Sequence, residues 1–178
     1  MLVRLLCWTD MSASDGNLRD QIIELLPRLR RFARTLARNP HDADDLVQIA
    51  IERALGHAAQ LRADGSVAAW LFGIVRNAWI DEHRSRDRRR SLGDAVPAAE
   101  NVGDPAAGSL EELLCVQDAL ERLGDEQRLA VSLVLIEGLS YKEAAAVMNV
   151  PIGTLTSRLA RARETLQALL SGAPGAPL

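Results

Sequence analysis

The sequence predicts an all-α protein: two small helical domains joined by a flexible linker. Three observations carry this. Apolar residues recur at alternating spacings of three and four, the period of one helix face. Aromatic residues are 3% of the 178 positions, too few for an ordinary all-β fold. Residues 91–109, SLGDAVPAAENVGDPAAGS, hold Pro97, Pro105 and three glycines with little apolar periodicity, the composition of a linker. The predicted organisation is an N-terminal extension (1–17), a first domain (18–90), the linker (91–109), a second domain (110–172) and a frayed tail (173–178).

In the first domain, Leu18, Ile22, Leu25, Leu29, Phe32 and Leu36 form one stripe. Pro27 lies within it and should kink the helix or start a new one. Asn39-Pro40 reads as N-cap and first turn of a second helix, followed by Asp42, Asp44 and Asp45 where the helix dipole favours negative charge. Leu46, Val47, Ala50, Ile51, Ala54 and Leu55 make its apolar face. Residues 56–66 read as a loop. Ser66 can cap a third helix with Val67, Trp70, Leu71, Ile74, Val75 and Ala78 inward, and that helix runs into RSRDRRR at 84–90.

The second domain opens with a helix over Leu110, Leu113, Leu114, Leu120 and Leu123, closed by Gly124. A largely buried helix follows, carrying Leu129, Val131, Leu133, Val134 and Ile136 and closed by Gly138. Ser140 to Glu143 is a capping-box pattern. Residues 149–153 read as a turn, after which Thr154 can cap a last helix with the stripe Leu155, Leu159, Ala162, Leu166 and Leu169. A short helix, a tight turn and a longer helix make a helix-turn-helix, whose second helix enters the DNA major groove.

Composition excludes several classes. With 48% hydrophobic and 25% charged residues the chain is globular rather than disordered. No apolar run approaches the roughly 18–20 residues of a membrane span. The apolar start, Met1 to Trp8, is too short for a signal peptide, and Met1 and Met11 both stand as translation starts. Two cysteines, Cys7 and Cys115, exclude a disulfide framework and suit a reducing, cytoplasmic setting; with three scattered histidines they also argue against a metal site.

The net charge of −3 conceals segregation: residues 84–90 sum to +4, residues 91–130 to −7 and residues 154–172 to +2. Local basic patches are compatible with nucleic-acid binding. Lys142 is the single lysine among 21 basic residues, a bias that reads as codon composition.

Thr154, Ser157, Arg158 and Arg161 share one side of the last helix, where Arg can pair with guanine edges and hydroxyls can reach bases or phosphates. Trp70, Phe72 and Trp79 are interleaved with Arg76, Asn77, Arg84, Arg86 and Arg88. Stacking rings, amides and guanidiniums suit single-stranded nucleic acid, although Trp70 by itself reads as core. Asp44, Asp45, Gln48 and Glu52 form a polar stripe that composition alone assigns to solvation.

Together these pieces resemble the sigma-70 superfamily, specifically the extracytoplasmic-function (ECF) sigma factors, over about residues 20–170. DADDLVQIAIERAL at 42–55 is similar to the region 2.2 helix. WLFGIVRNAWIDEHR at 70–84 is similar to regions 2.3–2.4. LSYKEAAAVMNVPIGTLTSRLARAR at 139–163 is similar to region 4.2.

The resemblance implies that Asp44, Asp45, Gln48 and Glu52 contact the β′ clamp helices of RNA polymerase core, with region 4 on the β flap. It places Trp70, Arg76, Asn77, Arg84 and Arg88 at the minus-10 element: Asn77 beside a flipped-out base, Arg84 and Arg88 on phosphates, and residues 58–66 shaping the base pocket. It places Thr154, Thr156, Ser157, Arg158 and Arg161 on the minus-35 duplex. It further implies promoter DNA and an anti-sigma factor as partners, no cofactor, no metal and no catalytic centre.

Three positions depart from the family pattern: Ile49-Ala50, Leu55 where Trp is common, and Thr156 where a basic residue is common. Three other classes compete: a sensor-regulator, an adaptor mimicking a sigma factor, and an enzyme acting on nucleic acid. The first lacks a ligand or phospho-acceptor signature, the second should lack Asn77 and Arg158, and the third lacks a metal or nucleophile set.

Overall fold

The helix signals lie where local chemistry puts them. In the computed structural model, residues 13–37, 39–61, 65–91 and 110–171 are described. They form seven α-helices: α1 Ala13–Leu36, α2 Pro40–Gly56, α3 Val67–Ser91, α4 Leu110–Glu121, α5 Asp125–Val131, α6 Tyr141–Met148 and α7 Ile152–Ser171. Residues 1–12 of the extension, 62–64 of the loop expected at 56–66, residues 92–109 of the linker and the tail fall outside the described residues.

Helix α1 passes through Pro27 as one element. The ring sits on the exposed side, and the carbonyl it leaves unpaired belongs to exposed Ile23, where water can satisfy it. Asn39 caps α2, its Oδ1 accepting from Asp42 N at 2.7 Å. Ser66 Oγ accepts from Ala69 N at 3.2 Å and caps α3. Leu55, expected inward, is instead 42% exposed, at the edge of the α2 stripe just before the helix ends.

Gly124 starts α5 rather than merely ending α4, with Gln127 Oε1 accepting from its N–H at 3.4 Å. The expected second helix is α-helical only to Val131; Ser132–Ile136 is a wide π turn, in which Glu137 N donates to Ser132 O at 2.9 Å. Gly138, at φ 70°, reverses the chain, and Leu139 N donates to Leu133 O at 3.0 Å.

The capping box of α6 is complete: Glu143 N donates to Ser140 Oγ at 3.2 Å, and Ser140 N donates to Glu143 Oε2 at 2.9 Å. Asn149 ends α6 in the left-handed region (φ 53°), which a short polar side chain tolerates. Helix α7 begins at Ile152, earlier than expected. Thr154 is therefore inside the first turn and is not the cap; its N–H donates to Pro151 O at 2.9 Å.

Leu29, Phe32 and Leu36 of α1, Leu71, Phe72 and Val75 of α3, and Ala43, Leu46 and Val47 of α2 make the first half of the core. Phe32 meets Phe72 edge to face with centroids 5.0 Å apart. Leu129, Leu133, Met148, Leu155 and Leu159 make the second half. The two halves are not separate: the apolar cluster runs through both, with α1 against α5 and the wide turn and α3 against α6. At that boundary the Glu137 side chain is fully buried between Arg28 and Arg31.

Ser140→Ala should destabilise the protein by about 1 kcal/mol through loss of the α6 cap. The bond from the Ser140 hydroxyl, then that from its backbone N–H, holds the Glu143 carboxyl below its ordinary 4.5. A carboxyl lowered in the folded state adds stability above the unfolded value and loses it as pH falls through the folded one. Denaturant melts across pH should therefore show a gap between wild type and variant that is widest at neutral pH and narrows below about 4.5.

Candidate polymerase and nucleic-acid interfaces

Helix α3 divides its residues between two environments. Leu71, Phe72 and Val75 are fully buried, and Ala78 and Trp79 nearly so. Phe72 and Trp79 are thus core residues and not open stacking platforms, while Trp70 is half-buried against the same core. Their 3.6-residue phase aligns Phe72 and Trp79 with the apolar stripe, a signal present in the sequence. The opposite side carries exposed Asn77, Arg84 and Arg88. Arg76 is half-buried; its Nη1 donates to Asn77 Oδ1 at 3.3 Å and so orients the amide.

Arg86 belongs to the basic run but is committed elsewhere. It donates to Asp42 on α2 and, at 3.0 Å, to Glu82 one turn back. Burial draws its pKa down, but the hydrogen bonds and charges of these carboxylates outweigh it and the net shift is upward. The Glu82 contact was legible as an i, i+4 pair; the Asp42 contact needed the fold.

On α2, Asp44, Asp45, Gln48 and Glu52 are all exposed, and Gln48 Nε2 donates to Glu52 Oε1 at 3.1 Å. Ile49, 37% exposed, projects between them. Beside them a groove is lined by apolar Leu36, Ala37, Leu46, Ile49 and Trp79 together with Asp42, Asp45, Glu82, His83 and Arg86.

On α7, Thr156, Ser157 and Arg161 are exposed and Thr154 is half-buried. Thr156 and Ser157 turn their hydroxyls onto the helix, donating to Ile152 O at 2.9 Å and Thr154 O at 3.0 Å, so their oxygen lone pairs remain available as acceptors. Arg158 differs from its neighbours. Its side chain is 23% exposed, and Nη1, shut off from solvent, lies 2.7 Å from Glu126 Oε2 on α5. The contact is Coulombic; the N–H directions do not aim at the carboxylate. Glu126 escaped the sequence reading because nothing local links positions 126 and 158.

Among the described residues, no three His, Cys, Asp or Glu side chains gather so as to hold a metal ion. Among them too, no helix is long and apolar enough to cross a membrane.

A helix-turn-helix on one half and a helix with a polar, arginine-bearing outer face on the other define a class of DNA-directed transcription factor. The family comparisons narrow it. Residues 22–89 match the family model for sigma-70 region 2, and residues 113–166 match that for sigma-70 region 4. The chain is 38% identical to the ECF RNA polymerase sigma factor EcfG of Rhodopseudomonas palustris over 86% of this chain and 85% of that one. It is 38% identical to the ECF sigma factor SigM of Mycobacterium tuberculosis over 89% of this chain and 80% of that one. Its fold superposes on the sigma factor RpoE of Bartonella quintana, solved in complex with the anti-sigma factor NepR, with TM-score 0.79, 34% identity, and coverage of 88% and 98% of the two chains. The protein belongs to the ECF sigma factors of the sigma-70 family.

Arg161→Ala should weaken binding to a minus-35 duplex and reduce the slope of log affinity against log salt by about 1. Arg158→Ala should act more on region 4 stability than on that slope. Salt titrations paired with thermal melts check both.

Proposed function

We propose that this chain docks on RNA polymerase core through α2 and directs it to promoters bearing two elements. The exposed face of α3 captures unstacked minus-10 bases, and α7 holds the minus-35 duplex. The observation that supports this reading is the position of Asn77, Arg84 and Arg88 on one exposed helix face and of Thr156, Ser157 and Arg161 on another, each opposite a buried apolar stripe of its own helix.

In this reading Asn77, steadied by Arg76, hydrogen-bonds an extruded base edge, and Arg84 and Arg88 hold the strand's phosphates. Trp70 flanks the base with its exposed edge, and residues 58–66 shape the pocket. Thr154 and Arg158 support the minus-35 face from within, Arg158 through Glu126. Two weak grips on one core enzyme reinforce each other through effective concentration. Free protein therefore binds DNA weakly, and holoenzyme binds tightly.

The chain carries out no chemistry itself. It acts in the cytoplasm beside the polymerase, and an anti-sigma factor controls it. The last point is supported by the B. quintana RpoE structure, in which a protein of this fold is held by NepR.

Pull-down with core followed by run-off transcription tests the whole reading. The double variant Asp44→Lys/Asp45→Lys should lose core affinity by about tenfold or more, since it reverses charge across a docking face. Wild-type protein that neither binds core nor supports run-off transcription would overturn the assignment.

A further inference from the structure

We propose that Arg28, Arg31 and Glu137 form a latch that holds the two halves of the free protein closed, and that promoter recognition requires it to open. This rests on the two-element reading above.

Both oxygens of the Glu137 carboxylate accept from guanidiniums of the other half. Arg31 Nε donates to Oε1 at 2.8 Å and its Nη2 to Oε2 at 3.0 Å; Arg28 Nε donates to Oε2 at 3.1 Å. Arg28 Nη2 also donates to the Glu137 carbonyl at 2.6 Å. The two arginines are three residues apart on α1 and so share a face. Arg28 is steadied over the ring of Phe72, 5.4 Å from its centroid, before it reaches across.

The Glu137 side chain has 0% exposure, and a carboxylate buried to that degree is tolerated only while it is paired. Within its own half the neighbouring chain reversal is made by Gly138 and the bond from Leu139 N to Leu133 O, without the Glu137 side chain. The side-chain chemistry of Glu137 therefore points across the boundary. A second polar contact spans the same boundary, His83 Nε2 on α3 lying 3.8 Å from Asp125 Oδ2 on α5.

The closed form cannot reach both promoter elements. Their names place them about 25 base pairs apart, roughly 85 Å along straight duplex at 3.4 Å per pair. A globule of roughly 140 residues is about 40 Å across. The halves must therefore separate, which returns Glu137 to water and frees Arg28 and Arg31. The latch sets what fraction of free protein is open, and that fraction scales the apparent rate and affinity of any step needing separated halves.

The test is small-angle scattering on the full free chain, paired with its rate of association with polymerase core. Wild type should scatter as a closed body. Glu137→Lys should expand it and speed association by about tenfold. The swap Arg28→Glu/Arg31→Glu/Glu137→Arg should restore both the compact radius and the slower rate. Should Glu137→Lys lose helical circular dichroism, Arg28→Gln/Arg31→Gln, at half-exposed positions, is read in the same way. An expanded wild type, a variant that stays compact with its helices intact, or an expanded variant that associates no faster would each overturn the latch. Equilibrium core binding and run-off transcription by wild type report on the function itself, so the two failures are distinguishable.

Discussion

The polar face of α3 exists because that helix buries one side and exposes the other. Leu71, Phe72, Val75, Ala78 and Trp79 fix the rotation of the helix against α1 and α2. Asn77 lies between Val75 and Ala78 in sequence yet faces solvent, because each step turns the helix by about 100°. The edge-to-face pair of Phe32 and Phe72 locks that phase, and the arginines beyond residue 83 inherit it. The exposed polar face of α3 is thus a by-product of core packing, as precise as the core is dense.

The features legible in the sequence are those whose physics is local. Asn39, Ser66 and Ser140 each cap a helix through a backbone N–H three residues on, and all three are readable. So is the helix-turn-helix, since its turn requires residues able to break helix at Asn149 and Pro151. What could not be read depends on partners distant in sequence. Arg158 looks identical to Arg161 on a helical wheel until Glu126 is brought beside it. Arg86 looks like one of a basic cluster until Asp42 meets it. Glu137 looks like an ordinary surface carboxylate, and only the packing of α1 buries it. Thr154 was misread as a cap because a helix can begin directly after Pro151, whose carbonyl accepts the first bonds without help from a side chain.

The sequence shows two helical domains and a linker, and the structure adds that their apolar cores are continuous from one to the other. The same residues serve two arrangements: side chains that stabilise the closed body belong to halves that must part for promoter recognition. Such a protein is held by a modest set of contacts at one boundary, and ion pairs suit the role because water compensates their separation better than it compensates exposed hydrocarbon.

The wide turn at Ser132–Ile136 sets the register of that boundary. One extra residue in a helical turn advances everything after it by about 100° around the axis. Straightened into ordinary helix, this segment would swing Glu137 away from α1 and leave Arg28 and Arg31 without their shared carboxylate. The closed shape is therefore encoded partly by chain count: a single inserted residue decides which side of the second half recognises the first.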